Sequence, residues 1–238
     1  MVILGNGLLG SELKKDLNCS IISREQDGFD IEKPELWSNF LIESAHGTIF
    51  WPKYKVIINC IGHTDTYEDK RDTHWKVNYE GVVNLVDFCN RNDIKLVQFV
   101  TDYIYSGSIE NATEEDVPVH NSNWYGYTKL LADAYVQLRS KKYLLIRATH
   151  KEFPFKYEQA WVNQIGTFDY IDKISKLSSE LIKKDVCGVF NVGTPIKSMY
   201  ELAQRTKFDV KGVIAPSEVP IDLVVSLDKL TNFFEKGE

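Results

Sequence analysis

Short runs of apolar, β-branched residues alternate along the chain with longer stretches whose apolar positions recur at helical spacing. The runs at 2–4, 20–23, 55–60, 94–100, 143–147 and 189–192 predict strands, and the stretches at 8–17, 34–42, 74–91, 124–139 and 168–184 predict helices. In the third of these helices Val77, Gly81, Val82, Leu85 and Phe88 fall on one face, which would pack on a sheet. Pro34 suits the first turn of its helix, where a missing N–H costs nothing. The strands are apolar throughout, as in parallel sheets covered on both faces. The alternation predicts an α/β fold, a doubly wound parallel sheet of the Rossmann type with right-handed crossovers. After Arg147 the pattern loosens. Residues 1–147 are expected to form the core, and 148–238 a small lobe plus the last strand and helices of that core, in one compact unit.

Composition narrows the classes of partner. At 43% hydrophobic and 26% charged, the 238 residues have the make-up of an ordinary globular protein. A net charge of −6 argues against nucleic acid, whose binders carry a basic footprint. Cys19, Cys60, Cys89 and Cys187 are scattered without a C-x-x-C pair, so neither a metal site nor a disulfide framework is expected. The first apolar run follows no basic region and is interrupted by glycines, so no signal peptide is expected. No stretch reaches the roughly 18 apolar residues that span a bilayer. A cytoplasmic protein with no membrane partner is the expectation.

The chemistry begins at Gly5-Asn6-Gly7-Leu8-Leu9-Gly10, a G-x-G-x-x-G between the first strand and the first helix. In such a loop the first glycine permits the tight turn, the second admits a pyrophosphate and the third lets helix and strand pack closely. The helix N-terminus supplies N–H donors to the anion. Residues 1–147 thereby become a dinucleotide-binding core. The second strand ends in Ser23-Arg24. An acid there would bind a ribose hydroxyl, whereas an arginine accommodates a 2′-phosphate, so NADPH is favoured and NADH stays open.

Tyr125 and Lys129 form a Y-x-x-x-K one helical turn apart. A phenol is a reluctant proton donor at neutral pH, and a neighbouring ammonium is expected to lower its pKa. With 12 tyrosines and 22 lysines this pair arises about once per chain by chance, so its context carries the weight. That context is Thr101, a hydroxyl ending the fourth strand, which could share the charge developing on a substrate oxygen.

Taken together these motifs resemble the extended short-chain dehydrogenase/reductase family, and within it the dTDP-4-dehydrorhamnose reductase branch. Asn59-Cys60-Ile61-Gly62-His63-Thr64 resembles that branch's N-A-A-A-H/Y-T loop, and Phe29-Asp30-Ile31 its L-D-I. Val77-Asn78 with Gly81 to Leu85 is similar to V-N-x-x-G-x-x-N-L. Thr101-Asp102-Tyr103-Ile104-Tyr105 resembles T-D-Y-V-F, and Tyr125-Gly126-Tyr127-Thr128-Lys129-Leu130 resembles Y-G-x-x-K-L. Gly188 to Gly193 and Glu201-Leu202-Ala203 match the terminal strand and the helix after it. The resemblance implies a catalytic set of Thr101, Tyr125 and Lys129. It implies cofactor contacts from the glycine loop, Asp30, Ile31, Cys60, Ile61, Gly62 and Thr64, with Tyr125 and Lys129 also touching the cofactor. Tyr103 becomes a substrate-side residue and Asp102 a support for its loop. The implied activity is NADPH-dependent reduction of a 4-keto-6-deoxy nucleotide sugar, and helices 74–91 and 124–139 are the pair through which a homodimer would form.

The chain also departs from that pattern. Its first two glycines stand one residue closer together than is usual in the branch, and Val100 replaces the usual serine. The stretch between Arg147 and Ile171, which normally builds the sugar-nucleotide pocket, is short. It holds Lys151, Lys156 and Trp161 beside other aromatic residues, a mixture suited to a diphosphate and a base. Three other readings stay open. A 4,6-dehydratase would need an acid at Tyr103. A bifunctional 3,5-epimerase/4-reductase would place a cysteine there. A non-enzymatic NADP-binding regulatory subunit would share the fold without the chemistry.

Overall fold

The computed structural model describes residues 1–45, 49–66, 70–105, 110–116 and 123–236. The apolar runs β1 (Val2–Leu4), β2 (Ser20–Ile22), β3 (Val56–Asn59), β4 (Lys95–Val100), β5 (Tyr143–Arg147) and β6 (Gly188–Asn191) join into one six-stranded sheet. Its order is β6-β5-β4-β3-β1-β2, and every pairing is parallel. The principal helices are α1 (Leu8–Leu17), α2 (Gly81–Arg91), α3 (Trp124–Arg139), α4 (Ile171–Lys183), α5 (Met199–Gln204) and α6 (Asp228–Lys236).

Successive strand residues serve opposite layers, which is why the runs are apolar throughout. Val2, Leu4, Ile57 and Leu96 pack with Leu85 and Val86 of α2 and Val136 of α3. Ile3, Ile58 and Val97 pack with Leu13 of α1, Ile174 and Leu181 of α4 and Leu230 of α6. The strand order reverses between β1 and β3. A crevice opens at such a switch point, beyond the carboxyl ends of the strands. Among the described residues no helix is long and apolar enough to cross a membrane.

Three helical expectations need correction. The stretch at 34–42 breaks into a 3-10 turn, Pro34–Leu36, and a short helix, Ser38–Leu41, followed by a hairpin of Ile42–Ala45 with Ile49–Pro52. Trp37 and Leu41 are fully buried and end the apolar face there, so the chain turns outward after them. The helix expected at 74–91 begins at Arg71 and is π-wound from His74 to Glu80 before α2. That winding leaves both His74 and Asn78 without exposed surface. The helix expected from residue 168 starts at Ile171, because Asp169–Tyr170 is extended and pairs with His150–Lys151.

The segment after β5 gathers a third apolar cluster from Tyr103, Phe155, Phe168, Tyr170, Met199 and Leu202. Short strand pairs frame it, including Gln159–Trp161 with Lys211–Val213. α5 starts on a capping box in which Ser198 and Glu201 satisfy each other's backbone N–H groups.

One polar network crosses the core beside the sheet's carboxyl edge. Arg147, the last residue of β5, donates from Nε and Nη2 to the two carboxylate oxygens of Asp133 on α3, each at 2.8 Å. Both side chains are 2% exposed. Burial alone would loosen the arginine's proton, but Asp133 holds it more tightly than usual. Arg147 also donates to the Tyr105 hydroxyl and, at 3.3 Å, to the Glu114 carbonyl. The Glu114 carboxylate accepts the Asn191 N–H at 2.8 Å. Helix α3, the loop after β4 and strand β6 therefore meet at one guanidinium.

Removing one partner of a buried pair strands the other charge, which costs about 3–5 kcal/mol. Asp133→Ala is expected to lose that much in urea unfolding. Replacing both partners with apolar residues, Asp133→Leu with Arg147→Met, is expected to cost less than the single change.

Candidate active site

The glycine loop has the geometry of an anion cradle. Gly5 sits at φ +96°, a left-handed conformation that favours glycine, and its N–H donates to the Ile22 carbonyl at 2.8 Å. A Cβ on Gly10 would lie 1.9 Å from the Gly5 carbonyl oxygen, so helix and turn can approach this closely only without a side chain. Gly7 caps α1 without a side-chain hydrogen bond, the first turn carries no acid, and a Cβ on Gly7 would meet nothing within 4 Å. The N-terminus of α1 is thus open beside Gly7 and carries no acid, which fits a diphosphate. The Asn6 carbonyl accepts the Ser11 hydroxyl at 2.8 Å, Leu8 is exposed, and Leu9 packs on the α1 side of the sheet.

At the end of β2, Ser23 is buried and caps the short helix Arg24–Asp27, its hydroxyl accepting the Gln26 N–H at 3.2 Å. Arg24 is mostly exposed and donates to Asp30 at 2.5 Å, with Glu32 at 3.7 Å. Burial would raise the Asp30 carboxyl, but the Glu32 N–H and Arg24 outweigh it and hold the carboxyl below its usual range. Ile31 is buried beneath Gly81, where a Cβ would come within 2.9 Å of it.

Thr101, Tyr125 and Lys129 come together across the carboxyl edge. Asn123 caps α3 by accepting the Gly126 N–H at 2.8 Å, which sets Tyr125 in the first turn and Lys129 in the second. Thr101, 2% exposed at the end of β4, hydrogen-bonds the Tyr125 phenol. The Lys129 ammonium lies against Gly62, where a Cβ would stand 3.0 Å from Nζ. The loop carrying Gly62 is tied down at several points. Cys60 N–H donates to the Leu4 carbonyl at 2.9 Å, and Ile61 N–H to the Asn59 side chain at 3.1 Å. Asn78 accepts the His63 N–H at 2.8 Å and donates to the His63 carbonyl at 3.0 Å. Thr64, further along, is exposed, and its carbonyl accepts the Thr66 hydroxyl at 3.3 Å.

Sequence reasoning gave Asn78 only through its resemblance, and it gave His74 no role. The ring of His74 lies edge-on between His63, at 4.5 Å, and Tyr125, at 6.3 Å. Tyr103 closes the row against Tyr125 at 6.1 Å. A polar asparagine and histidine four apart within an apolar helical face were the available signal.

The expected lowering of the phenol by Lys129 is not met. Burial pushes Tyr125 up to about 12, with Thr101 pulling it down and Asp102 raising it further. Burial also pushes Lys129 down to about 8, opposed by Cys60, whose own thiol burial drives upward. Dehydration leads both shifts because both groups are enclosed, and neither shift draws on the other group.

On the other side of Thr101, the two lysines singled out in the short segment have different surroundings. Lys151 is half-buried and feels the Asp102 carboxylate. Lys156 is exposed and pairs with Glu152 at 2.5 Å. Trp161 is partly buried against the third apolar cluster, in which Tyr103 is 7% exposed. The structure brings Lys151 to the site and leaves Lys156 on the surface.

Lys129 ordinarily titrates near 10.5, and here near 8. Between those values the unfolded chain binds the extra proton, so the ligand-free fold gains stability as pH rises through that window. Lys129→Met removes the buried charge. Its melting temperature is expected to exceed that of the parent by several degrees at pH 7, and the gap is expected to close as pH approaches the upper value. A gap independent of pH would contradict a dry ammonium.

Comparison with known proteins agrees with this geometry. The family model described as the RmlD substrate binding domain matches residues 1–150. A dTDP-4-dehydrorhamnose reductase from Clostridium acetobutylicum superposes with a TM-score of 0.77 at 23% identity, over 95% of this chain and 89% of that one. One from Bacillus anthracis, in complex with NADP, gives 0.76 at 21%, over 97% and 91%. A hypothetical one from Sulfolobus tokodaii gives 0.78 at 22%, over 98% and 94%. At these identities the likeness establishes the fold. No curated protein matches the chain by sequence. With its family model covering the glycine loop, the Thr101 strand and the Tyr125–Lys129 helix, the chain belongs to the RmlD substrate-binding-domain family.

Proposed function

We propose that this protein is an NADPH-dependent reductase of a 4-keto-6-deoxy nucleotide sugar, as the reductases it superposes on are named. The observation that carries this reading is the meeting of Thr101, Tyr125 and Lys129 at the switch-point crevice, beside a helix N-terminus open to an anion. Residues 1–147 would hold the cofactor and 148–238 cover the sugar side. The glycine loop would take the diphosphate, Asp30 and Ile31 would neighbour the adenine, and Arg24 with Ser23 would meet the 2′-phosphate.

NADPH bound there would supply hydride to the keto carbon. Tyr125 gives its phenolic proton to the oxygen that gains charge, and a phenol held near 12 stays protonated at neutral pH. Thr101 hydrogen-bonds the same oxygen and shares that charge. Lys129, against Gly62, holds the ribose side of the cleft, and an anionic ligand beside it favours its ammonium form. Tyr103 and Trp161 offer aromatic surface to the substrate. Lys151, rather than Lys156, is the cation on that side. A homodimer through the helices spanning 74–91 and 124–139 and a cytoplasmic location complete the proposal.

Absorbance of NADPH, followed with a panel of 4-keto-6-deoxy nucleotide sugars, tests the reading directly. Tyr125→Phe is expected to reduce kcat by about 10²- to 10⁴-fold while leaving NADPH affinity nearly intact. Near-normal turnover by that variant would refute the mechanism.

Arg24→Ala is expected to weaken NADPH by about ten- to a hundredfold and NADH far less, since only the former has a 2′-phosphate. Titration of both cofactors reads this, and equal losses would remove Arg24 from the assignment.

A further inference from the structure

Thr101 carries a single hydroxyl proton, and its surroundings decide where that proton points. Its oxygen accepts the Tyr103 N–H at 3.2 Å. Asp102 Oδ1 lies 3.4 Å away and Thr149 Oγ1 3.3 Å away. Thr149 donates its own hydroxyl proton to the same Asp102 Oδ1 at 2.5 Å. One hydroxyl has one proton to give. Thr149 therefore acts on Thr101 only as an acceptor, and it and Asp102 Oδ1 stand at long, weak distances from a hydroxyl that also hydrogen-bonds the Tyr125 phenol.

We propose that Thr149 is a positioning residue: by filling Asp102 Oδ1 it keeps the Thr101 proton available for the oxygen that Tyr125 protonates. This rests on the reductase reading above and assigns a part to a residue outside the expected catalytic set. Asp102 is 3% exposed. Burial raises its carboxyl to about 6, with Thr149, Lys151 and Thr101 pulling it back. Above that pH it is an anion that only accepts. A buried carboxylate deprived of a donor takes the nearest one, because leaving it unsatisfied is costly. Without Thr149 that donor is Thr101, whose proton would then turn away from the substrate. The backbone that carries Thr149 is held on both sides. Before it, Arg147 accepts the Val192 N–H at 2.9 Å. After it, His150–Lys151 is paired with Asp169–Tyr170.

Thr149→Val keeps the shape and removes the proton. With NADPH and a 4-keto-6-deoxy nucleotide sugar, its kcat is expected to fall about five- to tenfold with KM and NADPH affinity unchanged, and Thr149→Ser is expected to restore it. In an Asp102→Ala background no carboxylate competes, so Thr149→Val should bring no further loss. Equal losses in both backgrounds, or none in either, overturn the proposal. A second readout needs no turnover. Carboxyl-carbon NMR of Asp102 in the ligand-free protein should show Thr149→Val raising its pKa above about 6. An unchanged titration overturns the proposal whatever the rates do. If the parent protein turns over none of the sugars, the reductase reading fails separately, and this titration alone decides whether Thr149 governs Asp102.

Discussion

The bidentate contact between Arg147 and Asp133, sealed from water between β5 and α3, fixes where the reacting groups stand. Tyr125, Lys129 and Asp133 follow one another at intervals of four on α3, so they share a face of that helix. Locking Asp133 to the end of a strand sets the helix's rotation, and with it the direction of Tyr125 and Lys129. A buried ion pair is weak evidence of net stability, because both charges must be dehydrated. Its fork geometry nonetheless adds direction that an apolar contact lacks. The same guanidinium reaches Tyr105, a few residues beyond Thr101, so one arginine orients both the helix with the phenol and the loop with the hydroxyl.

Asn78 ties the opposite wall. It grips the backbone of His63 in both directions and reaches Thr128 of α3 at 3.4 Å. Gly62 is thereby held against Lys129, leaving the ammonium little access to water. The enclosure explains why the phenol is raised and the ammonium lowered together. Proton donation to a substrate requires the protonated phenol, and enclosure maintains that form. The attraction expected from the Y-x-x-x-K spacing contributes to neither shift; dehydration leads both.

Much of this arrangement was legible in the sequence because the signals were local. Strands apolar on both faces, the glycines at 5, 7 and 10, and Tyr125 one turn before Lys129 each depend on neighbours a few residues away. The hairpin after Leu41 was missed because the apolar face of 34–42 reads as continuous until Trp37 and Leu41 are seen to complete it. The Asp133–Arg147 pair was invisible for a different reason. Fourteen residues separate a helix position from a strand end, and nothing in either segment marks them as partners. Asp102 was expected to support its loop, but the hydroxyl of Thr149 that satisfies it comes from 47 residues away. Charge counting could not separate Lys151 from Lys156 either, since the difference lies in Glu152 at the surface and Asp102 inside.

The short segment after β5 does not leave the site uncovered, because its core is continuous with the reacting groups. Tyr103, which follows Thr101 and Asp102 on their loop, is a member of the apolar cluster formed by Phe155, Phe168, Met199 and Leu202, and Tyr125 packs at its edge. Thr149 and Lys151 stand at the root of the same segment and both act on Asp102. A change that loosens this lobe must therefore disturb the Thr101 loop as well as the surface open to substrate. On the proposed function, fewer residues over the cleft would also mean less area with which to grip a sugar nucleotide. Specificity then falls more heavily on the polar groups at the root of the lobe, where buried hydrogen bonds discriminate more sharply than apolar contact does. The compact lobe and the buried Asp102 cluster are thus two sides of one constraint: in the proposed reductase, with little chain to cover a sugar, the chain beside Thr101 would both recognise the substrate and set the proton that completes its reduction.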